Sequence, residues 1–300
     1  MFSLQKMCVV AHYNMKRPRF IWMAVWEIMG AHLEYVGSST NPSIAEVAID
    51  LTRQLSSKFL LEEELYSFHF QQHFLAPFQK IFDRQRVKSV RELILTCLSV
   101  IISEAAERLQ SGWFVIFQVL TSSAASSDTC SLGFSVVEQL INTQLYVLEP
   151  HFIHVISVIC SFVAGADDDT IRAKAAELLG SFSKHIHKEE NEKWLALLQA
   201  ISRYANDPSI NVRRATRGAF LETLSRMTEA SEEVWEDAIL STAAEFFPFT
   251  SSLEPDDDEL GQLVHDIKSL SLAKSHLMIY LLLKLEFPSP LHRSCRSSYH

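Results

Sequence analysis

A helical apolar stripe that recurs at a near-constant interval constrains this chain more than any other feature. Ile44, Val90, Leu132, Ile171 and Val212 each open such a stripe, and the intervals between them are 46, 42, 39 and 41 residues. Val47, Ala48 and Leu51 follow the first anchor. Leu93, Ile94 and Leu98 follow the second, and Val136 and Leu140 the third. Ala175, Leu178 and Leu179 follow the fourth, and Ala215, Ala219 and Phe220 the fifth. Most of these fall at i+3, i+4, i+7 or i+8, which is one face of an α-helix. A period near 40 has room for two helices and a turn, the unit of a HEAT or armadillo solenoid. Arg91, Arg172 and Arg213 follow three of the anchors directly, and Asp207-Pro208 precedes the last, as in the turn inside a HEAT repeat. The expected fold is therefore all-α, a superhelical stack of helix pairs. An irregular helical domain with evenly spaced helices is the competing account, and the turn chemistry favours the solenoid.

The spacing predicts a helix, a turn and a helix from Ser3 to about Gly37, then helices over 44–60, 90–108, 113–124, 130–146 and 152–164. More follow over 170–185, 190–204, 212–227 and 232–246. Leu65 to Phe82 reads as a loop leading into a helix, and its aromatics read as core. The loop GSSTNPS places Pro42 near a first helical position, where its missing N–H is harmless. The domain reading is 1–125, then 126–250, then an acidic loop with terminal helices over 251–288, and a flexible tail over 289–300. An exposed loop is expected at SSLEPDDDEL.

With 8 Gly and 9 Pro in 300 residues, tight strand turns are hard to build, so few strands are expected. A formal charge of −9 gives no global field that would attract nucleic acid. The five cysteines, Cys8, Cys97, Cys130, Cys160 and Cys295, are odd in number and contain no C-x-x-C pair. That suits reduced thiols in a cytosolic protein better than a disulfide frame or a zinc site. The amino terminus lacks the apolar run and cleavage site of a signal peptide. LMIYLLL at Leu277 to Leu283 is far shorter than the roughly 20 apolar residues that span a bilayer, and reads as a buried helix.

No G-x-x-x-x-G-K-[ST], G-x-G-x-x-G or G-x-S-x-G motif occurs, so neither a phosphate cradle nor a nucleophile elbow is expected. His69 and His73 are four apart but lack the Glu of an H-E-x-x-H zinc motif. His151 with His154, and His185 with His187, lack acidic or Cys companions at metal spacing. No cofactor, metal or catalytic residue is expected. Two basic clusters, Lys16/Arg17/Arg19 and Arg84/Arg86/Lys88/Arg91, read as solvated turns that cap helix carboxyl ends. An acidic partner or phospholipid contact is the functional alternative.

Several stretches carry a family resemblance. FSLQKM at Phe2 to Met7, HYNMKRPRFIW from His12 to Trp22, LTRQLSSKFL from Leu51 to Leu60, and EEL at Glu63 to Leu65 are among them. So are FQQHFLAPFQKIF at Phe70 to Phe82, VREL at Val90 to Leu93 and SGW at Ser111 to Trp113. These resemble the large brefeldin A-inhibited guanine nucleotide-exchange proteins for Arf GTPases, in the first homology region downstream of their catalytic domain. A weaker similarity to a later downstream region runs from Trp194 to Thr216, then through Val234-Trp235 and FFPF at Phe246 to Phe249. Phe114 departs from the family, which usually has a basic residue after SGW.

The resemblance implies a non-catalytic regulatory region, because the family's catalytic glutamate lies in a Pro-Gly-Glu motif absent here. It implies an Arf-family GTPase, in its GTP form, and the missing catalytic domain as partners. It also implies a cytoplasmic protein recruited peripherally to Golgi or endosomal membranes. Met1 is followed at once by text that lies inside a longer protein in the family, so a fragment or truncated gene model is expected. A related non-catalytic trafficking scaffold is the alternative. Arg53, Gln54, Lys58, Phe59 and Gln71, within the most family-like block, are the candidate partner-binding residues. An aggregation-prone amino-terminal edge is expected near Leu4, Val9 and Val10.

Overall fold

Helix starts along this chain are written in short polar and proline-containing turns. Asn41 accepts the Ser43 amide at 3.1 Å and Pro42 occupies the first turn, so the helix Pro42–Phe59 begins where the GSSTNPS loop ends. Asp168 does the same for Asp169–Phe182 by accepting the Thr170 amide at 2.8 Å. The computed structural model describes residues 2–61, 64, 69–187 and 190–227. Its helices are α1 (Phe2–Asn14), α2 (Arg19–Gly37), α3 (Pro42–Phe59), α4 (Phe70–Arg84), α5 (Lys88–Ala105) and α6 (Gly112–Ala124). They continue with α7 (Cys130–Leu148), α8 (Phe152–Gly165), α9 (Asp169–Phe182), α10 (Asn191–Ser202) and α11 (Ile210–Met227). Among the described residues there is no strand.

The chain divides into two compact units between Asp167 and Asp168. In the first, α1, α3, α5 and α7 pack side by side as one layer, and α2, α4, α6 and α8 as a second, with each helix also touching the next in sequence across the layers. That is the stacked helix-pair architecture of an α-solenoid. In the second unit α9 packs closely on α11, and α10 touches both.

All five stripe anchors fall on odd-numbered helices, one per pair, but only Val90 and Val212 are fully buried. Ile44 is 40% exposed, and Leu132 and Ile171 are half-buried. In α3 the face that packs is Ala45, Ala48, Ile49, Thr52 and Leu55, one position on from the anchor. Most other stripe residues are buried as expected, among them Ala48, Leu51, Ile94, Leu98, Val136, Leu140, Ala175, Leu179, Ala215, Ala219 and Phe220, so the stripes pack and the shift of face is confined to anchors such as Ile44.

An aromatic stack joins α2, α3 and α4 in the core of the N-terminal part of the first unit. The Trp26 and Phe74 rings lie 3.9 Å apart, and Phe59 sits 4.6 Å from Phe74 and 4.5 Å from Phe70. Phe70, Phe74, Phe78 and Phe82 are all buried, as the sequence predicted. Pro77 inside α4 has no N–H for the His73 carbonyl one turn earlier. The Trp26 indole N–H donates to that carbonyl at 3.1 Å and so satisfies it from α2. Gly30 makes room for the indole: a Cβ there would lie 3.2 Å from the Trp26 ring.

Cys8, Cys97, Cys130 and Cys160 are free and buried. Burial pushes the Cys8 and Cys97 thiols up to about 11, which keeps them protonated. The stretch Tyr146–Gly165 is long and apolar enough to cross a bilayer, yet half of it is buried, and α8 packs on α6 and α7 like a core helix. Expectations for Tyr66, Phe68, Cys295, the helix over 232–246, the acidic loop, LMIYLLL and the tail lie outside the described residues.

Two glycines give opposite predictions. A Cβ on Gly180 would stand 2.5 Å from the Ala219 Cα across the α9–α11 contact, whereas one on Gly218 meets nothing within 4 Å. Gly180→Ala forces two backbones apart at a cost of about 1–3 kcal/mol. Gly218→Ala, on an exposed helical position, stabilises by about 0.5–1 kcal/mol. Thermal melts followed by circular dichroism should move down for the first variant and up for the second.

Candidate interaction surface

The five candidate residues separate into surface and interior. On α3, Asp50 holds two of them: Arg53 donates to its Oδ1 from Nη2 at 2.7 Å and from Nε at 3.1 Å, and Gln54 donates to its Oδ2 at 2.7 Å. The hydrogen bond from Asp50 raises the Arg53 pKa further, so its charge is fixed. Lys58 is exposed one turn beyond Gln54. Arg53, Gln54 and Lys58 therefore share the outward side of α3. Phe59, only 3% exposed, belongs to the aromatic stack.

Gln71 is buried, and every polar atom of its amide has work within the fold. Its Nε2 donates to the Arg108 carbonyl at 2.8 Å, while its Oε1 accepts the Gln110 amide at 2.7 Å and the Gly112 amide at 3.4 Å. Glu64 completes this knot. Its carboxylate accepts the Gln71 amide at 2.7 Å, the Ser111 amide at 3.0 Å and the Ser111 hydroxyl at 2.6 Å. Ser111 Oγ in turn accepts the Gln72 amide at 3.0 Å. One carboxylate thus serves the N-termini of both α4 and α6, where amides are unpaired and the helix dipoles favour negative charge. Sequence reasoning quoted the EEL and SGW motifs but gave Glu64 and Ser111 no role. An acid ahead of a helix is a weak cue when six residues separate it from the amide it meets.

The outward side of the odd layer is tied together by polar groups. Ser57 donates to Glu104 at 3.4 Å, Ser99 to Gln139 at 3.0 Å and the Tyr146 hydroxyl to Glu107 at 2.5 Å, linking α3 to α5 and α5 to α7.

The basic clusters differ in their fates. Arg84 and Lys80 both pair with Glu34, at 2.5 and 3.0 Å, and Glu34 is nearly buried. Arg91 lies 4.2 Å over the Phe82 ring and donates to Ser126 at 2.7 Å, with burial lowering its pKa. Arg17 donates to the Asn14 side chain at 2.6 Å. Arg213 donates to the Asp207 and Pro208 carbonyls at 2.7 and 3.1 Å.

His151 sits against Trp113 and Phe117, where burial and the nearby His154 lower its pKa. Among the described residues no three His, Cys, Asp or Glu side chains are grouped to hold a metal ion.

Residues 58–139 match the family described as Mon2/Sec7/BIG1-like, HDS. The chain is similar to human brefeldin A-inhibited guanine nucleotide-exchange protein 1, with 38% identity over 154 residues covering 51% of this chain and 8% of that protein. Brefeldin A-inhibited guanine nucleotide-exchange protein 3 of Arabidopsis thaliana is 27% identical over 298 residues, covering 86% of this chain and 17% of its own length. Protein 2 of the same plant is 38% identical over 142 residues, covering 47% of this chain and 8% of the relative. The chain thus spans a small part of these relatives, and the matched family segment contains the whole knot built on Glu64, Gln71 and Ser111.

Removing the Gln71 amide leaves the Arg108 carbonyl and the Gln110 amide without their partner. Gln71→Ala should destabilise the chain by about 1–3 kcal/mol, read as a fall in the thermal midpoint. The double charge reversal Arg53→Glu with Lys58→Glu, on exposed or half-exposed positions, should move that midpoint far less.

Proposed function

We propose, for a chain that belongs to the brefeldin A-inhibited exchange-protein family through its Sec7-like HDS region, that it is a non-catalytic interaction module of an Arf guanine nucleotide-exchange factor. The observation that carries this reading is the position of the family match: it falls on the HDS segment, residues 58–139, whose helices stack in pairs. A stack of this kind offers broad surfaces to a folded partner and needs no enclosed pocket.

The partner in this reading is an Arf-family GTPase in its GTP form, held by apolar anchors within a polar rim. Arg53, Gln54 and Lys58 are the exposed members of the candidate patch. Phe59 and Gln71 support it from within, Phe59 by filling the core under α3 and Gln71 by fixing α4 against α6. A second partner is the catalytic domain of the longer protein, against which such a module regulates exchange. The site of action is cytoplasmic, at Golgi or endosomal membranes, with peripheral recruitment through the GTPase and a role in vesicle traffic. The chain is a fragment of that longer protein in this reading.

Calorimetric titration of the purified chain with Arf loaded with a GTP analogue or with GDP tests the proposal. Binding restricted to the GTP form is expected, weakened by Arg53→Glu with Lys58→Glu while the thermal midpoint falls far less than in Gln71→Ala. Equal binding of both forms, or none, removes the GTPase-recruitment reading.

A further inference from the structure

Both layers of the first unit expose apolar side chains. The odd layer carries Phe2, Val9, Val10 and Tyr13 on α1, Ile44 on α3 and Tyr146 on α7 beside the polar links described above. The even layer exposes Phe20, Ile28 and Tyr35 on α2, Phe114 on α6 and Ile153 on α8, and neither α6 nor α8 contains a charged Asp, Glu, Lys or Arg. Between α2 and α4 this layer opens into a groove of about 570 Å³. On its floor Trp26 stacks on Phe74 and spends its indole N–H on the His73 carbonyl, beside Gly30 and Pro77. Ala24, Ala31 and Ala76 keep the walls low, and Phe20, 70% exposed, stands at one side.

Glu27, Glu34, His73 and Lys80 also line the groove. Glu34 is neutralised by Lys80 and Arg84. Glu27 is exposed and has no ion-pair partner among the described residues. A small-molecule site would need uncommitted polar groups converging on the floor, whereas of the polar lining residues Glu34 and Lys80 are paired with each other and Glu27 and His73 are exposed. Low walls of alanine and glycine let a backbone approach closely, as one helix approaches another. An anionic lipid surface would meet an unpaired carboxylate.

We propose that the α2–α4 groove receives an amphipathic helix from a protein partner, its apolar face on Trp26 and Phe20 and a Lys or Arg of its flank on Glu27. This goes beyond the GTPase reading and stands apart from it, since the Arf titration probes a different face and a different ligand.

The test uses the full chain and two fluorescent helical peptides with Leu at i, i+3, i+4 and i+7, identical except that one carries Lys and the other Glu on the flank. The Lys peptide should bind at least about tenfold more tightly, because a like charge facing Glu27 discriminates against the other. Glu27→Lys should reverse the preference, and Ala31→Trp, which fills the groove from an exposed position, should abolish binding; unchanged melts show that both variants fold. Equal affinity for the two peptides, or binding that survives Ala31→Trp, overturns the proposal. So does an Ala31→Trp-sensitive association with phosphatidylserine vesicles or with a second copy of the chain in the absence of peptide binding.

Discussion

A carboxylate shared by two helix N-termini sets the register of the helix pairs in the first unit. Each α-helix begins with amides that have no partner in the helix itself. Where helices of one layer lie side by side, those amides face protein and must be satisfied there. Glu64 accepts from the first turn of α4 and from Ser111 ahead of α6, and Gln71 reaches from α4 to three backbone groups around Arg108 to Gly112. Sliding α4 against α6 would leave several of these groups unpaired at once, at about 1–3 kcal/mol each. Apolar packing alone would tolerate a small slip far better, because it has no direction.

The same device recurs with other residues. Gln85, buried in the turn before α5, donates to the Gly37 carbonyl at the end of α2 at 2.7 Å and to the Ser39 carbonyl in the loop before α3 at 2.8 Å. Arg91 near the start of α5 reaches Ser126 in the turn before α7. Within the second unit Arg172 near the start of α9 bonds Asp207 in the turn before α11. The Arg91 and Arg172 bridges both span 35 residues, one helix pair less its turn. The Arg172–Asp207 pair is mostly buried, so its value lies in position: losing one partner costs about 3–5 kcal/mol, while the pair itself adds little over an apolar match.

Much of this architecture was legible because it depends on period. Helix lengths, pair spacing and the Asn41-Pro42 start follow from stripes and caps that any helical chain must use. The rotation of the α3 face was not legible: Ile44 opens an apolar pattern as convincingly as Ala45 does, and only the neighbouring helices decide which of them is covered. The patch was half legible. Arg53, Gln54 and Lys58 are polar and lie on the surface, but Gln71 is equally polar and sits in the interior, since its partners come from a loop 37 to 41 residues away. The Trp26 bond to the His73 carbonyl was beyond reach for a similar reason: Pro77 announces a missing donor, and nothing local says which residue replaces it.

These positions separate two kinds of information that a family resemblance mixes. The EEL, FQQHFL and SGW stretches carry much of the resemblance, and Glu64, Gln71, Phe74 and Ser111 within them act on other parts of the same chain. Text of that kind reports how helix pairs are held together, and a relative that keeps it keeps the stack. Recognition requires groups that the fold leaves uncommitted. On α2 these are Phe20, Glu27, Ile28 and Tyr35, and on α6 Phe114, the position where the resemblance departs from its usual basic residue. A stack whose interior is fixed by directional bonds can vary such outward residues at little cost to stability, because surface changes away from caps and networks usually stay within about 0.5 kcal/mol. The outward residues lie inside the family stretches, as Phe20, Arg53, Gln54 and Lys58 do, as well as outside them, as Glu27, Ile28 and Tyr35 do, on helices whose inward faces hold the stack.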